Sequence, residues 1–118
     1  MNPTREPESF LPLSHIALHV MLALGDGPSH GYAIGKDAEG RTRGKLKPTT
    51  GGLYLALRRL KDDGLVRPSD KATARSSDAR RQYFELTRLG KDVLEAELRR
   101  LRDIVSEAEA NALLPRSV

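Results

Sequence analysis

Apolar residues recur at helical spacing in the first third of the chain. Leu13, Ile16, Ala17, Val20, Met21 and Leu24 predict a helix over about residues 12–24. Its other side, His15, Leu18, His19 and Leu22, is half apolar too. A helix apolar on two sides is buried on two sides, which predicts packing against its own core and against a second subunit. Gly25-Asp26-Gly27-Pro28 reads as a turn. Ser29 is then placed to cap a second helix, about residues 30–42, carrying Tyr32, Ala33, Ile34 and Ala38. Residues 1–9 show no such pattern and are expected to be disordered.

The next stretch, residues 48–66, carries a start signal, an apolar face, a basic face and a stop. Thr49 or Thr50 can cap it by accepting a backbone N–H of the first turn. Leu53, Leu57 and Leu60 repeat at helical spacing and should face a core. Gly64 stands where a left-handed residue ends a helix, with Leu65 as the apolar contact of a Schellman-type cap. Gly51 and Gly52 are costly at a helix start, about 1 kcal/mol each against alanine in a helix interior. Close approach of another molecule to the backbone is one reason to tolerate them. Tyr54 and Arg58 lie one turn apart, away from the leucines. The helix is suited to lying against a polyanion.

Leu65-Val66-Arg67 reads as a short strand stopped by Pro68, with Gln82–Leu86 as its partner. Between them, Ser69–Arg81 is polar and basic, with no apolar residue larger than alanine. The pair predicts a hairpin with a projecting tip. A last helix is expected from near Thr87 to about Leu113, with Gly90 in its first turn. Along it Leu94, Leu98, Leu101, Val105, Ala108 and Ala112 alternate by four and three, a heptad seam suited to a two-fold dimer. Three helices followed by a hairpin is the winged helix-turn-helix order. The expected fold class is mainly α with a small β-hairpin. It divides into a tail (1–10), a winged helix-turn-helix domain (11–86) and a C-terminal dimerisation helix (87–114).

Charge sharpens this picture. The 118-residue chain is +4 overall, but residues 41–81 hold 12 Lys or Arg against 4 acids. That segment therefore carries an excess of eight positive charges, and the rest is net acidic by four. A basic segment in an acidic chain is the electrostatic footprint of nucleic-acid binding. With no cysteine, disulfides and thiolate metal sites are excluded. No apolar run approaches a membrane span, and the acidic, proline-containing start is unlike a signal peptide, so a cytoplasmic protein is expected. Two Phe, three Tyr and no Trp are too few rings for a single-strand stacking platform.

Over about residues 11–110 the chain resembles the PadR family of bacterial transcriptional regulators. The likeness is carried by His30-Gly31-Tyr32-Ala33-Ile34, Gly51-Gly52-Leu53-Tyr54, Leu57-Arg58-Arg59-Leu60, Gly64-Leu65-Val66 and Tyr83-Phe84-Glu85-Leu86-Thr87 with Gly90. The family often has proline after the tyrosine of the third helix, where this chain has Leu55. A single last helix with no added domain is similar to the smaller subgroup. The resemblance implies a homodimeric regulator of double-stranded DNA, most often a repressor, acting on a palindromic operator. It also implies a possible small-molecule effector near the dimer interface. Carried onto this chain, the DNA surface comprises Tyr32, Thr49, Thr50, Gly51 and Tyr54. Lys45, Lys47 and Arg58 would neutralise phosphates, and Lys71, Arg75, Arg80 and Arg81 would act from the wing. Dimer contacts fall on His15, Leu18, His19 and Leu22 of the first helix and on Leu94, Leu98, Leu101, Val105 and Ala108 of the last.

Two alternatives remain open. One is a winged module that binds an acidic protein through the same basic face. The other is a metal-responsive sensor using His15 and His19, four residues apart. No catalytic triad, paired-carboxylate site or P-loop stands out, so neither an enzyme nor a cofactor is expected.

Overall fold

The computed structural model describes residues 5–70 and 81–116. The helices are α1 (His15–Ala23), α2 (Gly31–Arg41), α3 (Thr50–Asp62) and α4 (Arg88–Ala110). Three strands, β1 (Ser29–His30), β2 (Val66–Ser69) and β3 (Tyr83–Leu86), form one antiparallel sheet in the order β1-β3-β2. The molecule is mainly helical, with the small sheet forming the base of the wing.

Each helix begins on a side chain that accepts a first-turn N–H. Ser14 caps α1 through Ala17, Thr49 caps α3 through Gly52, and Thr87 caps α4 through Gly90. The cap of α2 differs from expectation. His30 fills it, its Nδ1 accepting from the Ala33 N–H at 3.3 Å. Ser29 lies instead in β1, opposite Phe84. Helix α3 ends as its sequence predicts: Leu65 N–H donates to the Leu60 carbonyl and Gly64 N–H to that of Lys61, both at 2.9 Å, with Gly64 at φ 80°.

The core gathers Val20, Met21 and Leu24 of α1, Ile34 of α2, Leu53, Leu57 and Leu60 of α3, Phe84 and Leu86 of β3, and Val93 and Leu94 of α4. Pro68 does not stop β2, which runs through it to Ser69. The strand lies at the sheet edge, where a missing N–H can face away from the ladder. Arg67 and Glu85 sit opposite each other and pair at 2.6 Å, with Ser69 Oγ donating to Glu85 at 3.0 Å.

Two features of the N-terminal segment and α4 depart from expectation. Residues Pro7–Phe10, expected within a disordered tail, form a 3-10 turn packed on α4. Phe10 and Leu11 supply the reason, both resting against the core. Helix α4 stops at Ala110, so Ala112 falls outside it. Its first turn crosses the end of α3 so closely that a methyl on Gly90 would overlap the Leu65 carbonyl oxygen. That same carbonyl accepts the Thr87 N–H at 3.0 Å, and Thr87 Oγ1 donates to the Gly64 carbonyl at 2.6 Å.

Candidate nucleic-acid interface

The start of α3 meets solvent. Thr49, Thr50 and Gly51 are exposed, and a methyl added to Gly51 would meet no atom within 4 Å. The Thr49 hydroxyl is engaged as the cap, accepting from Gly52 N–H at 3.0 Å, which leaves Thr50 as the outward hydroxyl of the first turn. The positive end of the helix dipole and its unpaired first-turn N–H groups favour an anion here.

One turn along, Tyr54 is half exposed and its ring leans on the start of α2. A methyl on Gly31 would lie 2.5 Å from the Tyr54 hydroxyl and 2.7 Å from Cζ. Glycine is what lets the two helices approach with the tyrosine between them. The neighbouring Tyr32 is 65% exposed, and the cations of Lys36 and Arg81 each lie 5.7 Å from its ring centroid. Arg81 also places Nη1 2.9 Å from His30 Nε2, and His30 meets Tyr83 edge-on with centroids 5.2 Å apart. The entry to α2, the start of α3 and the base of the wing thus form one surface of tyrosines and cations.

Arg58, Lys45 and Lys47 are exposed. Lys71, Arg75 and Arg80 lie outside the described residues. Two residues were not singled out from sequence. Lys36 follows Tyr32 by one helical turn, a spacing that could have marked it. Glu97, on the flank of the α4 seam, is buried.

In α1, His15 and His19 meet edge-on with centroids 4.7 Å apart. Burial holds the His19 pKa below 6.5, His15 and Arg41 adding to the effect and Asp37 opposing it. Its Nδ1 is buried with no hydrogen-bond partner among the described residues. No group of three His, Cys, Asp or Glu among those residues is placed to hold a metal ion. Leu18 and Leu22 are half-buried. Leu94, expected in the dimer seam, belongs to the protomer's own core, because the first turns of α4 pack on the sheet and α1. Beyond it Leu98, Ile104 and Val105 are 42–50% exposed.

The sequence model of the transcriptional regulator PadR-like family matches residues 20–96, from the middle of α1 to the middle of α4. The chain belongs to this family. A PadR family transcription regulator from Clostridium difficile R20291 superposes with a TM-score of 0.67 at 29% identity, covering 86% of this chain and all of that one. Bacillus subtilis PadR in complex with operator DNA shares the fold at a TM-score of 0.60 and 21% identity, over 74% of this chain and 48% of that protein. An uncharacterised 37.1 kDa protein in a Streptomyces fradiae transposon is 42% identical over 78 residues. That stretch is 66% of this PadR-like chain but only about a fifth of the transposon protein. The family and the structural neighbours are transcription regulators, not enzymes. No helix among the described residues is long and apolar enough to cross a membrane.

Proposed function

We propose that this PadR-like chain binds double-stranded operator DNA as a homodimer and represses transcription from the site it covers. The observation that carries the reading is the surface where Tyr54 leans on Gly31 beside Tyr32, Lys36 and Arg81, next to the open first turn of α3. Placed in a major groove, the start of α3 would bring Thr50, Gly51 and Tyr54 to base edges and adjacent phosphates. Tyr32, Lys45, Lys47 and Arg58 would sit against the backbone, and the wing would follow with Arg81 and with Lys71, Arg75 and Arg80.

The exposed apolar half of α4, with His15, Leu18, His19 and Leu22 of α1, is the surface assigned to the second copy. A two-fold dimer calls for a roughly palindromic operator with half-sites about 10 bp, or ~35 Å, apart or a multiple of that. A small molecule at the dimer interface would release the repressor by binding the DNA-incompetent arrangement more tightly.

The test is a gel-shift titration of the full chain on its own upstream intergenic DNA, beside a scrambled duplex of equal length, at two salt concentrations. The reading expects a preference for the upstream DNA that survives the higher salt, with two chains per site. With 6–10 phosphate contacts, total affinity should fall by about 10³–10⁵ between 50 and 200 mM salt. Equal, weak binding to both duplexes would refute sequence-specific recognition there.

A further inference from the structure

Glu97 is the one charged side chain fully buried among the described residues, at 1% exposure. Its carboxylate accepts three hydrogen bonds, two of them from Arg100. One oxygen accepts the Leu13 N–H at 2.9 Å, just ahead of the α1 cap; the other accepts Arg100 Nε at 2.5 Å. It is also the last buried residue of α4: from Leu98 to Ala110 no residue is buried and most are exposed. The first half of α4 packs on the core through Val93 and Leu94 and on Pro7–Phe10. Two backbone grips stand at its ends, Gly90 against the Leu65 carbonyl and Glu97 on the Leu13 N–H; the second half is mostly exposed.

We propose that Glu97 is a positioning residue that fixes the angle at which α4 leaves the DNA-binding body, and so sets the half-site spacing the dimer accepts. The inference rests on the homodimeric DNA-binding reading above. At 1.5 Å per residue the two grips lie about 10 Å apart and Ala110 about 30 Å from Gly90. A 1 Å shift at Glu97 therefore turns the helix by roughly 5–6° and moves its tip by about 3 Å. That is close to the ~3.4 Å rise of one base pair. An apolar residue at this position would pack well but could slide, and it would leave the Leu13 N–H without its acceptor. A hydrogen-bonded carboxylate has one seating.

The test uses the full chain, as wild type and as Glu97→Gln, each selected on a random duplex library at one salt concentration. The enriched sites are then re-measured with the half-sites moved apart or together by one base pair. Glu97→Gln keeps an acceptor for Leu13 but loses the charged grip on Arg100. It is expected to enrich the same half-site with a broader spacing distribution. Discrimination between the best spacing and its neighbours should fall by about threefold or more, above the roughly twofold scatter of independent sites. Arg100→Lys, which removes the guanidinium fork and keeps the charge, should broaden spacing in the same direction and decides the matter if Glu97→Gln does not fold. A core variant, Val66→Ala, should lower Tm and leave spacing unchanged. Unchanged spacing discrimination in the folded Glu97 or Arg100 variant would overturn the proposal. If wild type enriches no site at all, the DNA-binding reading itself falls, a result distinct from equal spacing in all variants.

Discussion

Replacing Gly31 with alanine should damage DNA binding while leaving the fold intact. The added methyl would stand 2.5 Å from the Tyr54 hydroxyl and 2.7 Å from Cζ. An unstrained contact needs about 3.5 Å, so the tip of the ring must retreat by about 1 Å. The ring is half exposed and can swing outward, so the core does not share the cost. Alanine also suits a first-turn helix position better than glycine, and Tm should change by no more than about 4 °C. On the proposed reading the hydroxyl meets a phosphate or base edge. A displacement of about 1 Å leaves hydrogen-bond range, and a bond to a charged group contributes about 1.5–3 kcal/mol. The expected loss is therefore about ten- to hundredfold in affinity per half-site. Fluorescence anisotropy with the cognate duplex, beside thermal melts, measures both quantities. Tyr54→Ala should cost a similar amount, and the Gly31→Ala, Tyr54→Ala double variant should lose little more than either alone. Full additivity, or a large fall in Tm with wild-type affinity, would refute the argument.

Gly90→Ala should behave in the opposite way. Its methyl meets the Leu65 carbonyl, a backbone group that cannot rotate aside, so the cost should exceed the 1–3 kcal/mol typical of overpacking and swamp the gain of about 1 kcal/mol in helix propensity. Urea denaturation with an unchanged midpoint would contradict the geometry. Acid should loosen the seat of α4. The hydrogen bond from Arg100 holds the Glu97 carboxyl below its ordinary 4.5, the Leu13 N–H helping and burial opposing. A depressed carboxyl contributes stability that is complete above the unfolded value and is lost as pH falls through the folded one. Tm of wild type should therefore drop more steeply than that of Glu97→Gln as pH goes below about 4.5; parallel curves would be evidence against the contact. Arg58→Ala should weaken binding to every duplex alike and lower the salt slope by about one charge, whereas Thr50→Ala should affect the cognate site more than random DNA. Equal effects from both would undo that division of roles.

The start and stop of α3 and the start of α4 were legible because their signals are local. Thr49, Thr87 and the Gly64-Leu65 pair act locally, and local chemistry is written in neighbouring residues. The cap of α2 was missed because His30 is an uncommon N-cap, and its position depends on β1 pairing with a strand more than fifty residues later. Pro68 was misread for a similar reason, since its tolerance depends on β2 being the edge strand. Glu97 did leave a trace. Gly90, Val93, Leu94 and Glu97 follow the i, i+3, i+4, i+7 stripe that faces a core, and a charge on such a stripe needs a buried partner. What no pattern could supply was that partner, a backbone N–H eighty-four residues upstream. The tyrosine–cation surface was half legible: residue types and exposure could be read from spacing, whereas the contact of Tyr54 with Gly31 joins two helices and could not.

The peptide group of Leu65 has a consequence for how such a protein can diversify. The end of α3 and the start of α4 both close on it, and β2 and β3 pair beyond it, so the points where the chain leaves Ser69 and returns at Tyr83 are already fastened together. Lengthening or rewriting a loop with fixed ends costs only a slowly growing closure entropy, about 0.6 kcal/mol for each doubling. The segment that carries Lys71, Arg75 and Arg80 should therefore be exchangeable as a cassette, leaving undisturbed the junction of α3 with α4. On the proposed DNA-binding reading, wing segments grafted between chains of this family should change the contacts made beside the α3 site and leave the frame unaltered.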